Sequence, residues 1–228
     1  MAGHAAGIGL AESIDATLLT PWAAPAEIRE LCEEACALEV AAVCVLPFHV
    51  PLARTIVSGT RVRVAAAVSF PGGGTPAEAK AAEARWCAER GAEELDLVMN
   101  LGAARAGAWE VVAEEVRAVR EATPGCLAKW ILEVGALGEA EIVRAVGVVA
   151  DGGGHFVKTS TGYGPGGATL EAVRLLRSVA GAMGVKASGG IRTRAFAVAL
   201  LEAGADRIGT SAAGALLRAG AAGAPLRG

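Results

Sequence analysis

Lys129, Lys158 and Lys186 each stand inside a short apolar run, in Lys129-Trp-Ile-Leu-Glu133, His155-Phe156-Val157-Lys158 and Val185-Lys-Ala-Ser188. Asp96 stands in a fourth, Glu94-Leu-Asp-Leu-Val98. An ammonium within an apolar strand is costly unless something uses it. Taken singly, each of these charges fits a strand-end side chain reaching solvent, or a structural ion pair. Three lysines and an acid on consecutive strands fit a shared site better. Desolvation and a second ammonium both disfavour the charged form of a lysine, which leaves a neutral amine at neutral pH. Such an amine attacks a carbonyl to give a Schiff base, and the protonated imine draws electrons from an adjacent carbon–carbon bond. A neighbouring carboxylate can move the protons. The charges alone do not say which lysine is the nucleophile.

The elements that must position these residues follow from periodicity. β-branched apolar runs read as strands at Ser13–Leu18, Val40–Leu46, Arg63–Phe70, Glu94–Asn100, Ala128–Val134, His155–Thr159, Val185–Ser188 and Arg207–Gly209. Amphipathic stretches rich in Ala, Glu and Arg follow them, from about Pro25 to Glu39, Val50 to Ser58, Thr75 to Arg90, Ala108 to Glu121, Gly138 to Ala150, Ala168 to Ala182, Thr193 to Ala203 and Ser211 to Arg218. Thr75-Pro76 reads as an N-cap followed by proline at the first helical position. Alternation puts Lys129, Ile131 and Glu133 on one strand face, and Asp96, Val98 and Asn100 on one face of the preceding strand. Eight βα units in 228 residues predict an α/β chain folded as a single (β/α)8 TIM barrel. It is expected to be one domain over residues 1–228, with 219–228 a short flexible tail.

Glycine-rich turns supply an anion end. Gly189-Gly190-Ile191-Arg192 follows the seventh strand, and Gly209-Thr210-Ser211 follows the eighth. In barrels these two loops commonly hold a phosphate through backbone N–H groups. The loop Thr161-Gly162-Tyr163-Gly-Pro-Gly-Gly167 is placed to close the remaining side of that pocket.

The totals exclude other classes. A net charge of −3 offers no general attraction to nucleic acid or to acidic membranes. No apolar run reaches the roughly 18 residues of a membrane helix, and the N-terminus lacks a basic signal-peptide region. Five cysteines without a CxxC pair read as reduced thiols, and so as a cytoplasmic protein. Cys32 and Cys36, one helical turn apart, read as core rather than as metal ligands. His4 and His49 read as surface or loop residues. Trp86, Trp109 and Trp130 fit packing rather than stacking on a ligand.

Taken together, Lys158-Thr-Ser-Thr-Gly162, Val185-Lys-Ala-Ser-Gly-Gly-Ile-Arg192, Glu94-Leu-Asp-Leu-Val98, Lys129-Trp-Ile-Leu-Glu133, Asp15-Ala-Thr-Leu-Leu19, Val43-Cys-Val-Leu-Pro47 and Phe70-Pro-Gly-Gly73 resemble the deoxyribose-phosphate aldolase family. The resemblance runs from about Ile14 to Ala213. It implies a class I aldolase on a (β/α)8 barrel that reversibly cleaves 2-deoxy-D-ribose 5-phosphate to D-glyceraldehyde 3-phosphate and acetaldehyde, with no metal or organic cofactor. By the same resemblance Lys158 is the Schiff-base lysine, Lys186 the second lysine that perturbs it, and Asp96 the carboxylate that works with Lys186 in proton transfer. Asp15, Thr17, Cys44 and Lys129 match positions lining the pocket, and Gly189, Gly190, Gly209 and Ser211 match the phosphate cradle. Thr161 and Gly162 complete the expected substrate contacts. The implied partners are a phosphorylated sugar and an aldehyde, with assembly as a homodimer or homotetramer.

The sequence departs from the family pattern at Ala16, where histidine is common, and at His155, where aspartate is usual. A single serine, Ser211, stands where some relatives carry two, and no tyrosine ends the tail. Two other readings remain open at this stage: imine chemistry on another sugar phosphate or keto donor, and a phosphate-binding barrel without activity. The intact lysines and aspartate count against the second.

Overall fold

The computed structural model describes residues 9–218. Eight parallel strands close on themselves in chain order: β1 (Ile14–Leu18), β2 (Ala42–Val45), β3 (Arg63–Val68), β4 (Glu94–Val98), β5 (Leu127–Ile131), β6 (Phe156–Lys158), β7 (Gly184–Ser188) and β8 (Arg207–Thr210). The outer layer is α1 (Pro25–Ala37), α2 (Val50–Val57), α3 (Ala77–Glu89), α4 (Leu101–Arg105), α5 (Trp109–Ala122), α6 (Glu139–Asp151), α7 (Leu170–Val179), α8 (Arg194–Glu202) and α9 (Ala213–Arg218). The (β/α)8 expectation therefore holds over the described residues. The expected tail at 219–228, and His4, lie outside them.

Two layers of side chains explain the closure. The outward strand faces carry Ile14, Val43, Val64, Leu95, Leu97, Trp130, Val157, Val185 and Ile208, all buried against the helices. Inside, the halves differ in size. β2 and β3 contribute Ala42, Cys44, Ala65 and Ala67, packed with Leu19 as a small inner cluster. The long stems of Lys129, Lys158 and Lys186 fill the interior from β5, β6 and β7, opposite those small residues. Register sets their neighbours: Asp96 pairs with Lys129, Ile131 with Lys158, and Lys158 with Lys186.

Several local expectations are corrected. Thr75 does not cap α3; Pro76 takes that position, and the Thr75 hydroxyl pairs with that of Ser69 instead. Helix α4 fills a stretch to which the sequence reading assigns no element, and it is capped by Asn100, whose side chain accepts from the Ala103 N–H at 3.0 Å. The same residue therefore leaves β4. Glu133 is not a strand residue sharing a face with Lys129. β5 ends at Ile131, and Glu133 turns the chain with φ of 51°. His49 is buried in a 3-10 turn rather than lying on the surface, while its neighbour Phe48 is exposed. Trp130 packs as expected, but Trp86 is at the surface, where the Arg90 guanidinium lies 4.0 Å from its ring centre.

One buried ion pair ties the outer layer to the barrel's C-terminal end. Lys80 of α3 donates to the carboxylate of Glu115 on α5, to Val98 O at 2.7 Å and to Gly73 O at 3.1 Å. The other Glu115 oxygen accepts from the Asn100 N–H at 2.8 Å. All three Lys80 donors are thus used in holding the loops that leave β3 and β4.

Candidate active site

The C-terminal ends of β1, β6, β7 and β8 surround a cavity of about 280 Å³. Thr17–Thr20 form one wall, Lys158 and Thr161–Tyr163 the next, Ser188–Arg192 a third and Gly209–Ser211 the last. Only two of these side chains are basic, Lys158 and Arg192, and no carboxylate stands among them. A wall with a fixed guanidinium charge and no carboxylate suits an anionic ligand.

Lys158 is the last residue of β6, and it is 3% exposed where its amine meets the cavity. Its Nζ donates to Asp96 Oδ2 at 2.6 Å. Lys186, fully buried, donates to the same Oδ2 at 2.6 Å and also to Asp15. Lys129 reaches Asp96 Oδ1 at 2.8 Å, Glu94 Oε2 at 2.6 Å and Asp15 Oδ2 at 3.3 Å. The three lysines and Asp96 that the sequence places on consecutive strands do converge.

Their proton affinities diverge. Burial pushes the Lys158 amine below the usual lysine range; Asp96 partly opposes this, while Lys186 adds to it. Burial also pushes Lys186 and Lys129 down, but for Lys186 the carboxylates of Asp15 and Asp96 outweigh it, and for Lys129 those of Asp96, Asp15 and Glu94 do. Both therefore hold their protons more firmly than a free lysine. Burial raises Asp96, yet the three lysines overcome this and keep it well below the carboxylate range. Burial pushes the Cys44 thiol up to about 11, so it stays neutral 3.8 Å from Asp96 Oδ2.

Of the expected substrate contacts, Thr17, Thr161, Gly162, Gly189, Gly190, Gly209 and Ser211 line the cavity. Asp15, Cys44 and Lys129 do not. They are fully buried, outside its lining. Asp96 and Lys186 are likewise fully buried outside the lining, and Asp96 Oδ2 joins both to Lys158.

Close approach explains two of the glycines. A Cβ at Gly209 would come within 3.0 Å of both Lys186 Cε and Ser188 Cβ, so its absence leaves room for the Lys186 stem. Gly189 has φ of 96°, and a Cβ there would lie 3.0 Å from Gly167 Cα. Among the described residues, the main-chain N–H groups of Gly189, Gly190 and Ser211 reach no other backbone carbonyl.

The loop 161–167 is held by Glu133, a residue whose strand assignment concealed this. Its Oε2 accepts from the Thr161 N–H at 3.2 Å and from the Thr161 hydroxyl. The Thr161 hydroxyl oxygen in turn accepts from the N–H groups of Tyr163 at 3.0 Å and Gly164 at 3.2 Å. Tyr163 then meets Phe70 edge-on across the mouth, with ring centres 5.3 Å apart.

Sequence reasoning also missed Arg192, Arg207 and Glu94. Arg192 was legible as the cation next to the Gly189-Gly190 turn. Arg207 Nε donates to Asp15 Oδ1 at 2.8 Å and its Nη2 to Glu94 Oε2 at 3.1 Å. No local signal marks that pairing, since Asp15 and Arg207 meet only when the barrel closes between β1 and β8. Among the described residues, no three His, Cys, Asp or Glu side chains are gathered as metal ligands, and no helix is long and apolar enough to cross a membrane.

Comparison with known proteins adds a lineage. Residues 12–223 match the model of the DeoC/LacD family of aldolases. A deoxyribose-phosphate aldolase of Deinococcus radiodurans is 47% identical over 218 residues, covering 95% of this chain and 99% of that one. One from Thermococcus gammatolerans is 46% identical over 210 residues, covering 90% and 93%. Among solved structures, a deoxyribose phosphate aldolase from Aeropyrum pernix, described as a tetramer, superposes with a TM-score of 0.87. It is 36% identical, over 93% of this chain and 91% of that one.

Proposed function

This chain belongs to the DeoC/LacD family of aldolases, and we propose that within it the protein reversibly cleaves 2-deoxy-D-ribose 5-phosphate to D-glyceraldehyde 3-phosphate and acetaldehyde through a Schiff base on Lys158. The observation that carries this reading is the position of the Lys158 amine. It alone among the three lysines opens onto the cavity, and it alone has a lowered proton affinity.

The neutral amine attacks the C1 aldehyde of the open-chain sugar to give a carbinolamine, and loss of water gives a protonated imine. The bond between C2 and C3 then breaks: the C3 hydroxyl gives up its proton through a water to the Asp96 carboxylate, and the bonding pair moves to C2 and the imine nitrogen. D-Glyceraldehyde 3-phosphate leaves, and an enamine of acetaldehyde remains on Lys158. Protonation of that enamine at C2 and addition of water release acetaldehyde and restore the amine. Asp96, 2.6 Å from Lys158 Nζ, accepts and returns the protons of carbinolamine formation, and Lys186 on the same oxygen keeps that carboxylate anionic. The substrate phosphate lies at Gly189, Gly190, Gly209 and Ser211, with Arg192 beside it. The chemistry needs no cofactor or metal.

The reading extends to assembly and place. A homodimer or homotetramer fits the tetrameric Aeropyrum pernix relative. A cytoplasmic setting fits five unpaired cysteines. The test is reductive trapping: incubation with acetaldehyde and borohydride, then peptide mass mapping. One ethyl group on Lys158 is expected. Ethylation elsewhere with Lys158 untouched sinks the assignment, and turnover only with a donor other than acetaldehyde sinks the substrate.

A further inference from the structure

The charges inside the barrel do not balance. Asp15, Glu94 and Asp96 supply three negative charges, and Lys129, Lys158, Lys186 and Arg207 supply four positive ones when every lysine is protonated. Arg63 at the N-terminal rim touches Glu94 at 3.3 Å, but its side chain is 53% exposed and compensated by water. Burying an uncompensated ammonium is costly, so one of the four is under pressure to lose its proton. Arg207 cannot, since a guanidinium stays charged in proteins. Among the lysines the contacts are unequal. Lys129 touches three carboxylates and Lys186 two; Lys158 touches only Asp96, at an oxygen it shares with Lys186.

We propose that Arg207 is a positioning residue of the reaction: from the floor of the barrel its fixed charge occupies Asp15 and Glu94, and Lys158 is thereby left as the one amine with no carboxylate oxygen to itself. The inference rests on the Schiff-base reading, because a neutral Lys158 matters only if that amine is the nucleophile. The other titratable groups facing Lys158 fit it. Cys44 of β2 stays a neutral thiol, Asp96 of β4 is claimed by all three lysines, and Lys186 of β7 is a cation. Arg207 also holds Asp15 through two of its nitrogens, which aims the other Asp15 oxygen at Lys186. Asp15 and Glu94 are thus held among Arg207, Lys129 and Lys186, none of which lines the cavity.

The inference is tested by the pH dependence of labelling at Lys158, with acetaldehyde and cyanoborohydride as the probe and mass mapping as the readout. Arg207→Met removes one buried cation, and the midpoint of labelling is expected to rise by about one unit, a roughly tenfold loss of neutral amine at pH values below it. Glu94→Gln removes one anion, and the midpoint is expected to fall. The double variant restores the balance and returns the midpoint to within a few tenths of a unit. A folded Arg207→Met protein with an unmoved midpoint overturns the inference. So does a Glu94→Gln midpoint that rises, and this arm decides the matter alone if Arg207→Met does not fold. A merely structural role for Arg207 lowers the amount of active enzyme without moving a midpoint. Absence of label on Lys158 in the unaltered enzyme is a different result: it overturns the Schiff-base reading itself.

Discussion

Replacing Lys186 by methionine tests how strongly one ammonium depresses another. Both lysines donate to Asp96 Oδ2 at 2.6 Å, so their nitrogens lie no more than about 5 Å apart. At an effective dielectric near 20, two unit charges at that separation repel by about 3 kcal/mol, equivalent to roughly two pH units on the Lys158 amine. Loss of Lys186 also frees Asp96 from one competitor, which strengthens its hold on the Lys158 proton. Both effects raise the Lys158 pKa. The alkaline shift expected in the pH profile of kcat/KM is therefore about two units, and activity at neutral pH falls about a hundredfold. The assay is cleavage of the sugar phosphate from pH 6 to pH 10, with circular dichroism at each pH to establish that the variant is folded. Recovery of much of the lost rate at high pH supports the argument. A profile with the parental midpoint and a uniformly low rate refutes it, for Lys186 would then be donating protons without tuning its neighbour. Apparent values belong to the coupled pair, so the comparison is between whole profiles.

Three further outcomes follow from the same geometry. Lys158→Leu is expected to reduce turnover at least about a thousandfold, while the thermal midpoint stays level or rises because a buried amine is replaced by an apolar side chain and Asp96 keeps Lys129 and Lys186; a large fall in thermal midpoint contradicts this. Glu133→Ala strips the partners from the Thr161 hydroxyl and N–H, which costs about 1–3 kcal/mol and loosens the 161–167 loop. KM for the phosphorylated sugar should rise more than kcat falls, with Glu133→Gln restoring most of it; equal losses in both variants speak against a loop-holding role. Acid stability gives the third: Asp15 and Asp96 are held below their ordinary value of 3.8 by the lysines, although burial alone would raise them. Their contribution is full above the unfolded value and is lost as pH falls through the folded values, so stability should decline below about pH 4. Asp15→Asn should flatten that decline, and an unchanged slope in denaturant titrations argues against it.

The barrel was legible because alternation of β-branched runs with amphipathic stretches depends on local sequence alone. The convergence of Lys129, Lys158, Lys186 and Asp96 was legible for a related reason: closure brings the same face of every strand inward, so charges at matching phases must meet. Access to the cavity was not legible. Asp15, Cys44 and Lys129 share the inward face with the cavity residues yet are fully buried outside its lining, and alternation alone does not separate the two sets. Glu133 shows the same limit. Its alternation with Lys129 is correct for a strand that continues, but the strand stops at Ile131, and a left-handed residue redirects the carboxylate to Thr161. Arg207 and Glu94 were hidden because a charge that begins a strand looks like a solvated end until the facing strand supplies its partner.

Access to the cavity is what separates one lysine from the others chemically. A Schiff-base amine must be desolvated enough to lose its proton and open enough to meet a carbonyl, and these demands conflict in most settings. β6 is only three residues long, and Lys158 is its last. Immediately beyond, the Thr159 hydroxyl donates to Ser188 O at 2.9 Å and accepts from the Ser188 N–H at 3.0 Å, knitting the chain to β7 at the level of the cavity floor. Lys158 therefore sits at the boundary, with protein below it and the cavity above. Lys186 is the register partner of Lys158 on β7, but it is fully buried, lies outside the cavity lining and has carboxylates on two sides. It is protonated and out of reach of a carbonyl in the cavity. Lys186 accordingly cannot substitute for the lost nucleophile: in Lys158→Leu, acetaldehyde with borohydride should leave Lys186 unlabelled at any pH at which the barrel is folded. An ethyl group on Lys186 in that variant would show that the interior admits substrate beyond the cavity lining, and would remove access as the basis for assigning the roles.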